Sequence, residues 1–157
     1  MKIKDYSLYL VISSEYGLGR PVLEIAKSAI AAGVDIIQLR EKNKDKNELI
    51  ELACELKELC HKAGVIFIVN DDPYIAKASG ADGVHLGQED LSRLSVNEVR
   101  GIITEDKIIG VSTHSLDEVR KANSQNINYI AYGPVFATET KKYFLGTKDV
   151  KEVLSFA

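Results

Sequence analysis

The chain has 157 residues, of which 45% are hydrophobic and 27% are charged, and its 20 basic residues against 23 acidic residues give a formal net charge of −3. This composition excludes a disordered chain, a collagen and a coiled coil, and it is typical of one globular domain over residues 1–157. The small acidic excess argues against a nucleic-acid-binding surface and against binding to an anionic membrane.

The N-terminal segment lacks the apolar core of a signal peptide, and no apolar run is long enough to span a bilayer. We therefore expect a cytoplasmic protein. Cys54 and Cys60 lie on different sides of a predicted helix, so they cannot form a disulfide with each other. We expect both to be buried thiols in a reducing compartment.

Short apolar segments alternate with helical patterns along the chain. The predicted strands are 8–12, 36–39, 65–69, 83–86, 108–111 and 129–132. The predicted helices are 21–33, 45–64, 73–79, 95–103, 115–125 and 147–155. This βαβα order predicts a parallel sheet with the helices outside it.

One pattern of eight residues, which leads from a helix into a strand, occurs three times. The copies start at Ala32, Ser79 and Gln125, so they are 47 and then 46 residues apart. Each interval fits two βα units of about 23 residues each. Equal spacing favours a barrel over a doubly wound sheet, because a switch point would interrupt the series.

Polar side chains cluster where each predicted strand ends. They are Gln38, Arg40 and Lys42 after the second strand; Asn70 and Asp71 after the third; His85, Gln88, Glu89 and Asp90 after the fourth; Ser112, Thr113 and His114 after the fifth; and Thr138, Thr140 and Lys141 after the sixth. In βα barrels this end of the strands carries catalysis. Side chains alternate along a strand, so Gln38 and Arg40 share one face. The same alternation pairs His85 with Gly83 and Ser112 with Gly110.

Taken singly, each cluster also has a structural interpretation. Arg40 and Lys42 fit a solvated loop, and residues 70–73 fit a turn followed by a helix start. His85 fits a hydrogen-bonded core histidine, and residues 114–115 fit the first turn of a helix.

Together the clusters favour a site for a polyanion and a divalent cation. Arg40, Lys42 and Lys141 are expected on the same rim as the carboxylates of Asp71 and Asp90. Mg²⁺ prefers one or two carboxylates plus phosphate oxygens, and the chain lacks the Cys/His spacing of a zinc site. Because no base and nucleophile pair is evident, departure of phosphate or pyrophosphate is favoured over acyl transfer.

Six ordered blocks carry a more specific signature. They are 8–11 (LYLV), 37–42 (IQLREK), 69–71 (VND), 80–90 (GADGVHLGQED), 110–114 (GVSTH) and 133–141 (GPVFATETK). These blocks resemble the thiamin phosphate synthase family, also called thiamin-phosphate pyrophosphorylase, and its sister family, the thiazole tautomerases. The resemblance implies a TIM (βα)₈ barrel. It also implies a transferase of thiamine biosynthesis that joins hydroxymethylpyrimidine pyrophosphate to a thiazole phosphate and releases pyrophosphate.

The resemblance also implies roles for individual residues. The implied substrate-binding residues are Gln38, Arg40, Lys42, Asn70, Gln88, Ser112, Thr138, Thr140 and Lys141. The implied Mg²⁺ ligands are Asp71 and Asp90. Lys141 and Arg40 are the implied catalytic residues, with Lys141 contacting the leaving pyrophosphate. The thiazole nitrogen then attacks the trapped pyrimidine cation, so no side-chain nucleophile is required.

Two alternatives stay open. In the sister family a histidine at the position of His114 moves a proton on a thiazole phosphate, although its members usually lose the acidic pair that this chain keeps. A non-catalytic protein that binds thiazole phosphate or thiamin phosphate is the other. Four departures from the family pattern leave it open: Asp72 in place of Arg, residues 13–14 (Ser-Ser) in place of Thr-Asp, Ala137 in place of Pro, and a short loop from Lys141 to Gly146.

The length of the chain predicts an incomplete barrel. A full (βα)₈ barrel has about 200 residues or more, and the six predicted βα units already extend to Ala157. We therefore expect strands 7 and 8 to be absent, with the barrel completed by a partner chain or left truncated. The dimeric habit of the family implies a homodimer.

Overall fold

The computed structural model describes residues 3, 7–137, 145–147 and 150–155. Its strands are β1 (Tyr9–Ile12), β2 (Ile36–Leu39), β3 (Ile66–Asn70), β4 (Gly83–Leu86), β5 (Ile108–Thr113) and β6 (Tyr129–Tyr132). Its helices are α1 (Val22–Ala31), α2 (Lys46–Ala63), α3 (Pro73–Ser79), α4 (Gln88–Leu91), α5 (Val96–Ile103), α6 (Leu116–Asn123) and α7 (Val150–Leu154).

The strands form one parallel sheet in the order β1-β2-β3-β4-β5-β6, so every strand pairs with its neighbours in the sequence. This order belongs to a barrel, since a doubly wound sheet reverses direction at a switch point. The prediction of a barrel-type α/β fold is therefore confirmed, with six strands forming a half-barrel in the described part of the chain.

The two faces of the sheet have different cores. Side chains such as Ile37, Phe67 and Ile109 point outward into the large core between sheet and helices. A smaller core of four isoleucines, Ile36, Ile66, Ile68 and Ile108, fills the inner face. The polar side chains near the strand ends, such as Gln38 and His85, alternate with these outward-facing residues along each strand. They therefore lie on the inner face, between the four isoleucines and the C-terminal ends of the strands.

Short-range signals explain the helix boundaries. The Asp45 side chain caps α2 by accepting a hydrogen bond from the Asn47 N–H, and Gly64 ends the helix with a φ of 70°. Asp72 caps α3 in the same way, and Pro73 occupies its first turn. The sequence patterns missed α4, because four residues are too few to show a helical period.

The threefold repeat has a structural role. Asp35, Asp82 and Asn128 directly precede β2, β4 and β6. Each donates its backbone N–H to a carbonyl oxygen near the start of the preceding strand, those of Leu8, Phe67 and Ile109 respectively. In the opposite direction, the side-chain oxygens of Asp35, Asp82 and Asn128 accept hydrogen bonds from the backbone N–H groups of Leu8, Phe67 and Ile109 at 2.7, 2.9 and 2.8 Å. The repeat therefore encodes a clasp that sets the register of successive strand pairs.

Two of these clasps are reinforced by a cation. Lys57 contacts Asp82 at 2.6 Å in a half-buried ion pair. The buried guanidinium of Arg100 donates to the Asn128 side chain at 2.6 Å and to the carbonyl oxygens of Asn126 and Lys107. These contacts lie at the N-terminal end of the strands, opposite the polar clusters.

The cysteine prediction was half wrong. Cys60 is buried and burial raises its pKa to about 11, but Cys54 is exposed on the outer side of α2, and both are free thiols. Among the described helices, none is long and apolar enough to cross a membrane.

Candidate functional site

A cleft of about 790 Å³ lies over the C-terminal ends of the strands. It is lined by Tyr9, Val11, Gln38, Arg40, Lys42, Asn70, Asp71, His85, Gly87, Gln88, Glu89, Asp90, Ser112, His114, Tyr129 and Ala131. All six strands contribute to it directly, as do the loops after β2, β3, β4 and β5. The cleft thus occupies the edge at which the sequence predicted the site.

Nine of the predicted site residues come together in this cleft. They are Gln38, Arg40, Lys42, Asn70, Asp71, Gln88, Asp90, Ser112 and His114. Thr138, Thr140 and Lys141 lie outside the described residues, so the contributions expected of them stay predictions.

The acidic pair is assembled from two loops. Asp71 follows β3 and Asp90 lies in α4, and both line the cleft. Burial, the charge of Asp90 and hydrogen bonding with its side chain raise the pKa of Asp71 to about 6, against the opposing charges of Lys42 and Arg40. The two carboxylates are therefore held closer than their charges favour, which is the arrangement that a cation relieves.

The backbone around Asp71 reconciles the two interpretations of residues 70–73. Asp72, not Asp71, caps α3 by accepting the N–H groups of Tyr74 and Ile75 at 2.8 and 3.1 Å. Asp71 has a φ of 68°, a left-handed conformation that non-glycine residues adopt at a cost. The turn thus uses Asp72 for the helix and leaves the Asp71 carboxyl facing the cleft.

The second acid is held by the first turn of α4. One Asp90 carboxylate oxygen accepts the Gly87 N–H at 2.8 Å. In the same turn, Gln88 donates its amide N–H to the Ser112 carbonyl oxygen at 2.6 Å. Gln88 therefore ties α4 to β5, and its amide nitrogen is engaged by the protein itself.

Two tyrosines that the sequence patterns missed form the floor of the cleft. The hydroxyl groups of Tyr9 and Tyr129 lie 2.8 Å apart, and Gln38 donates to the Tyr9 hydroxyl at 2.7 Å. Burial raises the pKa of both tyrosines, so they stay neutral at physiological pH. Their position on the inner face was predictable from strand alternation, because Tyr9 and Tyr129 lie two residues before the inward-facing Val11 and Ala131.

His85 is both a hydrogen-bonded core residue and a cleft residue. Its Nδ1 lies 2.8 Å from the Tyr129 hydroxyl, and its Nε2 lies 2.8 Å from the Ser112 hydroxyl. Burial lowers the pKa of His85 to about 4, and the charge of Asp90 opposes this only in part. The imidazole is therefore neutral at physiological pH.

His114 lies at the opposite wall, where β5 runs into α6. Its Nδ1 lies 2.5 Å from the Gly133 carbonyl oxygen, and its backbone N–H donates to Glu118 at 2.7 Å. These contacts fix both the ring and the backbone of His114. The first-turn interpretation of residues 114–115 holds as well, since Ser115 caps α6.

The departure at residues 13–14 has a structural counterpart. Glu41 accepts hydrogen bonds from the backbone N–H and the hydroxyl of Ser14, both at 2.6 Å. This two-point contact ties the loop after β1 to the loop that holds Arg40 and Lys42. No signal in the sequence indicated this pairing.

The donor set at the cleft limits the kind of cation that it can hold. Within the described ranges, no group of three or more His, Cys, Asp or Glu side chains is arranged to hold a metal ion. Two carboxylates with room for ligand oxygens fit Mg²⁺, which uses few protein ligands, better than they fit zinc.

Comparisons with known proteins agree with the architecture. The family described as thiamine monophosphate synthase matches residues 8–155. The thiamine-phosphate synthase of Shouchella clausii is 45% identical over 139 residues, which are 88% of this chain and 65% of that protein. The thiamine-phosphate synthase of Persephonella marina is 40% identical over 159 residues, which cover 100% of this chain and 75% of that protein.

A solved structure of thiamine phosphate pyrophosphorylase from Pyrococcus furiosus superposes with a TM-score of 0.82 at 30% identity, covering 95% of this chain and 69% of that one. The chain thus spans about two thirds of the length of the proteins it matches. The family match, the relatives and the shared fold agree: this chain belongs to the thiamine monophosphate synthase family.

Proposed function

We propose that this chain takes part in joining a pyrimidine pyrophosphate to a thiazole phosphate, with release of pyrophosphate, as its resemblance to the family implies. The observation that carries the proposal is the acidic pair Asp71 and Asp90 beside Arg40 and Lys42 on one cleft. The acidic pair can hold a cation, and the adjacent basic groups can hold an anion. A magnesium pyrophosphate provides both.

The proposed cofactor is Mg²⁺, held by Asp71 and Asp90. When bound, the ion supplies positive charge to the oxygens of a departing pyrophosphate. Both carboxylates must be ionised to hold it, so at pH values near or below the raised pKa of Asp71, about 6, the cation must displace a proton from this group.

Other residues of the cleft would bind the pyrophosphate and the pyrimidine ring. Arg40 and Lys42 would hold the pyrophosphate from one side of the cleft, and Ser112 would contact an oxygen from the other. Asn70 and Gln38 offer amide groups to the polar edge of a pyrimidine. The neutral floor of Tyr9 and Tyr129 suits a flat heteroaromatic ring, and no residue is required as a nucleophile.

The test is pyrophosphate release from the two substrates with Mg²⁺. Asp71→Asn and Asp90→Asn should each lower the rate at least about a hundredfold, because each removes a carboxylate that would hold the Mg²⁺, and the charge of that ion would stabilise the departing pyrophosphate. Asp72→Asn is the matched control: Asp72 adjoins Asp71 but caps α3, and asparagine caps helices equally well. The control should retain the activity of the unmodified chain.

Tight binding of thiamin phosphate without any turnover would contradict the proposal and support a carrier or regulatory protein. If the Asp72→Asn control lost as much activity as Asp71→Asn, the loss could not be assigned to the Asp71 carboxylate, and its role as a Mg²⁺ ligand would be contradicted. The expected homodimer, or a completing partner chain, stays a prediction, and light scattering of the purified protein tests it.

A second candidate is proton transfer on a thiazole phosphate by His114. The observation that favours it is the fixed His114 ring in the wall of the same cleft. Tautomerisation that survives Asp71→Asn but is lost in His114→Gln would establish this activity. Loss of pyrophosphate release in Asp71→Asn alone would leave the synthase proposal in place.

A further inference from the structure

Five side chains from five strands form a continuous hydrogen-bonded row across the floor of the cleft. In order they are Gln38, Tyr9, Tyr129, His85 and Ser112. The successive distances are 2.7 Å, 2.8 Å, 2.8 Å and 2.8 Å. Gln38 and His85 are buried, with 4% and 8% of their surface exposed, so the row is largely shielded from water.

Gly110 makes the row possible. It is the register partner of Tyr129 on the neighbouring strand, and a Cβ atom at this position would lie 1.9 Å from the Tyr129 ring. The ring can therefore lean over β5 and stack against the His85 imidazole, with 5.5 Å between centroids and 28° between planes. Its hydroxyl then reaches both Tyr9 and His85.

The direction of the hydrogen bonds follows from the first member. Gln38 donates its amide N–H to the Tyr9 oxygen. If the Tyr9 hydroxyl then donates to the Tyr129 oxygen, and the Tyr129 hydroxyl donates to Nδ1 of His85, each of these hydroxyl hydrogens has an acceptor in the row. The opposite direction would make the Tyr9 oxygen accept twice and leave its own hydrogen without a partner in the row.

We propose that this row holds His85 as the Nε2–H tautomer, so that His85 donates to the Ser112 oxygen and the Ser112 hydrogen is directed into the cleft. Ser112 is thereby fixed as a donor for an anionic oxygen. Tyr129 and His85 are positioning residues, because they act through Ser112. Only the identity of the anion rests on the proposed function; the direction of the row does not.

The tautomer of His85 can be measured without any activity. In ¹⁵N-labelled protein, multiple-bond ¹H–¹⁵N spectra distinguish the protonated from the unprotonated ring nitrogen, and His85→Gln assigns the signal among the three histidines. We expect the proton on Nε2. A proton on Nδ1 would overturn the proposal, even if the protein proved an active synthase.

Two variants test the row itself. Tyr129→Phe and Tyr9→Phe each remove one hydroxyl at nearly constant volume, so one serves if the other fails to fold. Each should convert the single tautomer into a mixture, whereas Tyr74→Phe, at an exposed position on α3, should not. An unchanged single tautomer in both row variants would contradict the proposal.

Calorimetric titration with inorganic pyrophosphate and Mg²⁺ tests whether Tyr129 affects anion binding by orienting the Ser112 hydroxyl. Tyr129→Phe should weaken binding about fivefold, the effect of one ordinary hydrogen bond. In a Ser112→Ala background the same change should alter binding by less than about twofold, since the two residues act in series. Equal losses in both backgrounds would mean that Tyr129 acts structurally and would overturn its positioning role. If the unmodified protein bound no pyrophosphate, the proposed function would fail, and the tautomer measurement would still decide the row.

Discussion

Asp71 and Asp90 lie close together in the wall of the cleft although they belong to the loops after different strands. A half-buried carboxyl group beside a second carboxylate keeps its proton to a higher pH than an isolated one. The first two predictions follow from this relationship.

The first prediction concerns stability in the absence of metal. The pKa of Asp71 is about 6 in the folded chain against an ordinary value of 3.8, so the folded state holds this proton more tightly. The contribution of Asp71 to stability is therefore present below about pH 4 and is lost as the pH rises through 6. Asp71→Asn should be more stable than the unmodified chain by about 1 kcal/mol at pH 7.5, after allowance for solvent screening, and equal to it at about pH 4.

Urea unfolding at both pH values measures this difference. The comparison with Asp71→Asn is needed because His85 acts in the opposite direction: its lowered pKa of about 4 makes stability rise with pH between 4 and 6.5. A variant that is no more stable than the unmodified chain at pH 7.5 would contradict the prediction.

The second prediction concerns the binding of Mg²⁺ itself. A proton on Asp71 competes with the cation, so the affinity for Mg²⁺ should be about tenfold lower at pH 5 than at pH 7.5. Calorimetric titration at the two pH values checks this. Asp71→Asn should abolish binding, and Asp117→Asn, at an exposed position on α6, should not change it.

The third prediction concerns the repeated clasp. Asp82→Asn can still accept the Phe67 N–H but loses the ion pair with Lys57, so it should lower the free energy of unfolding by about 1–2 kcal/mol. Asn128→Asp should change it by less than about 0.5 kcal/mol, because the Asn128 oxygen already accepts from both Ile109 and Arg100. Chemical denaturation measures the free energy of unfolding of both variants. A greater loss of stability in Asn128→Asp than in Asp82→Asn would contradict the prediction.

The fourth prediction separates two glycines. Gly110→Ala should destabilise the chain by about 1–3 kcal/mol and displace Tyr129, because the added methyl group enters the tyrosine ring. Gly101→Ala, in α5 with open space around its Cβ position, should instead stabilise the chain by about 0.5–1 kcal/mol. Thermal unfolding of both variants measures the difference in stability. If Gly110→Ala left the stability unchanged, the Tyr129 side chain could adopt another position without cost, and the prediction would be wrong.

The order of elements was predictable because it depends on local patterns. β2, β4 and β6 were predicted with their observed bounds, since each forms the second half of a copy of the repeat. α3 was predicted with its observed bounds, with Pro73 in its first turn. The clustering of Asp71 with Asp90 was predictable from the parallel order of strands.

The contacts between side chains were not predictable. The row that links Tyr9 to Tyr129 depends on the curvature of the sheet, which strand alternation does not specify. The bond from Ser14 to Glu41 joins two loops whose conformations follow from tertiary packing. Arg100 is a similar case, because a basic residue on a helix normally indicates an exposed face, whereas this one is buried with 6% of its surface exposed.

The contact between Tyr9 and Tyr129 also has a consequence for folding. It joins residues 120 positions apart, in the first and last strands of the described sheet, so its formation closes a long loop at a large entropic cost. We therefore expect this part of the cleft floor to form late in folding. Since the chain contains no tryptophan, tyrosine fluorescence is its intrinsic optical signal, and quenching at this pair would report the moment at which the site is assembled.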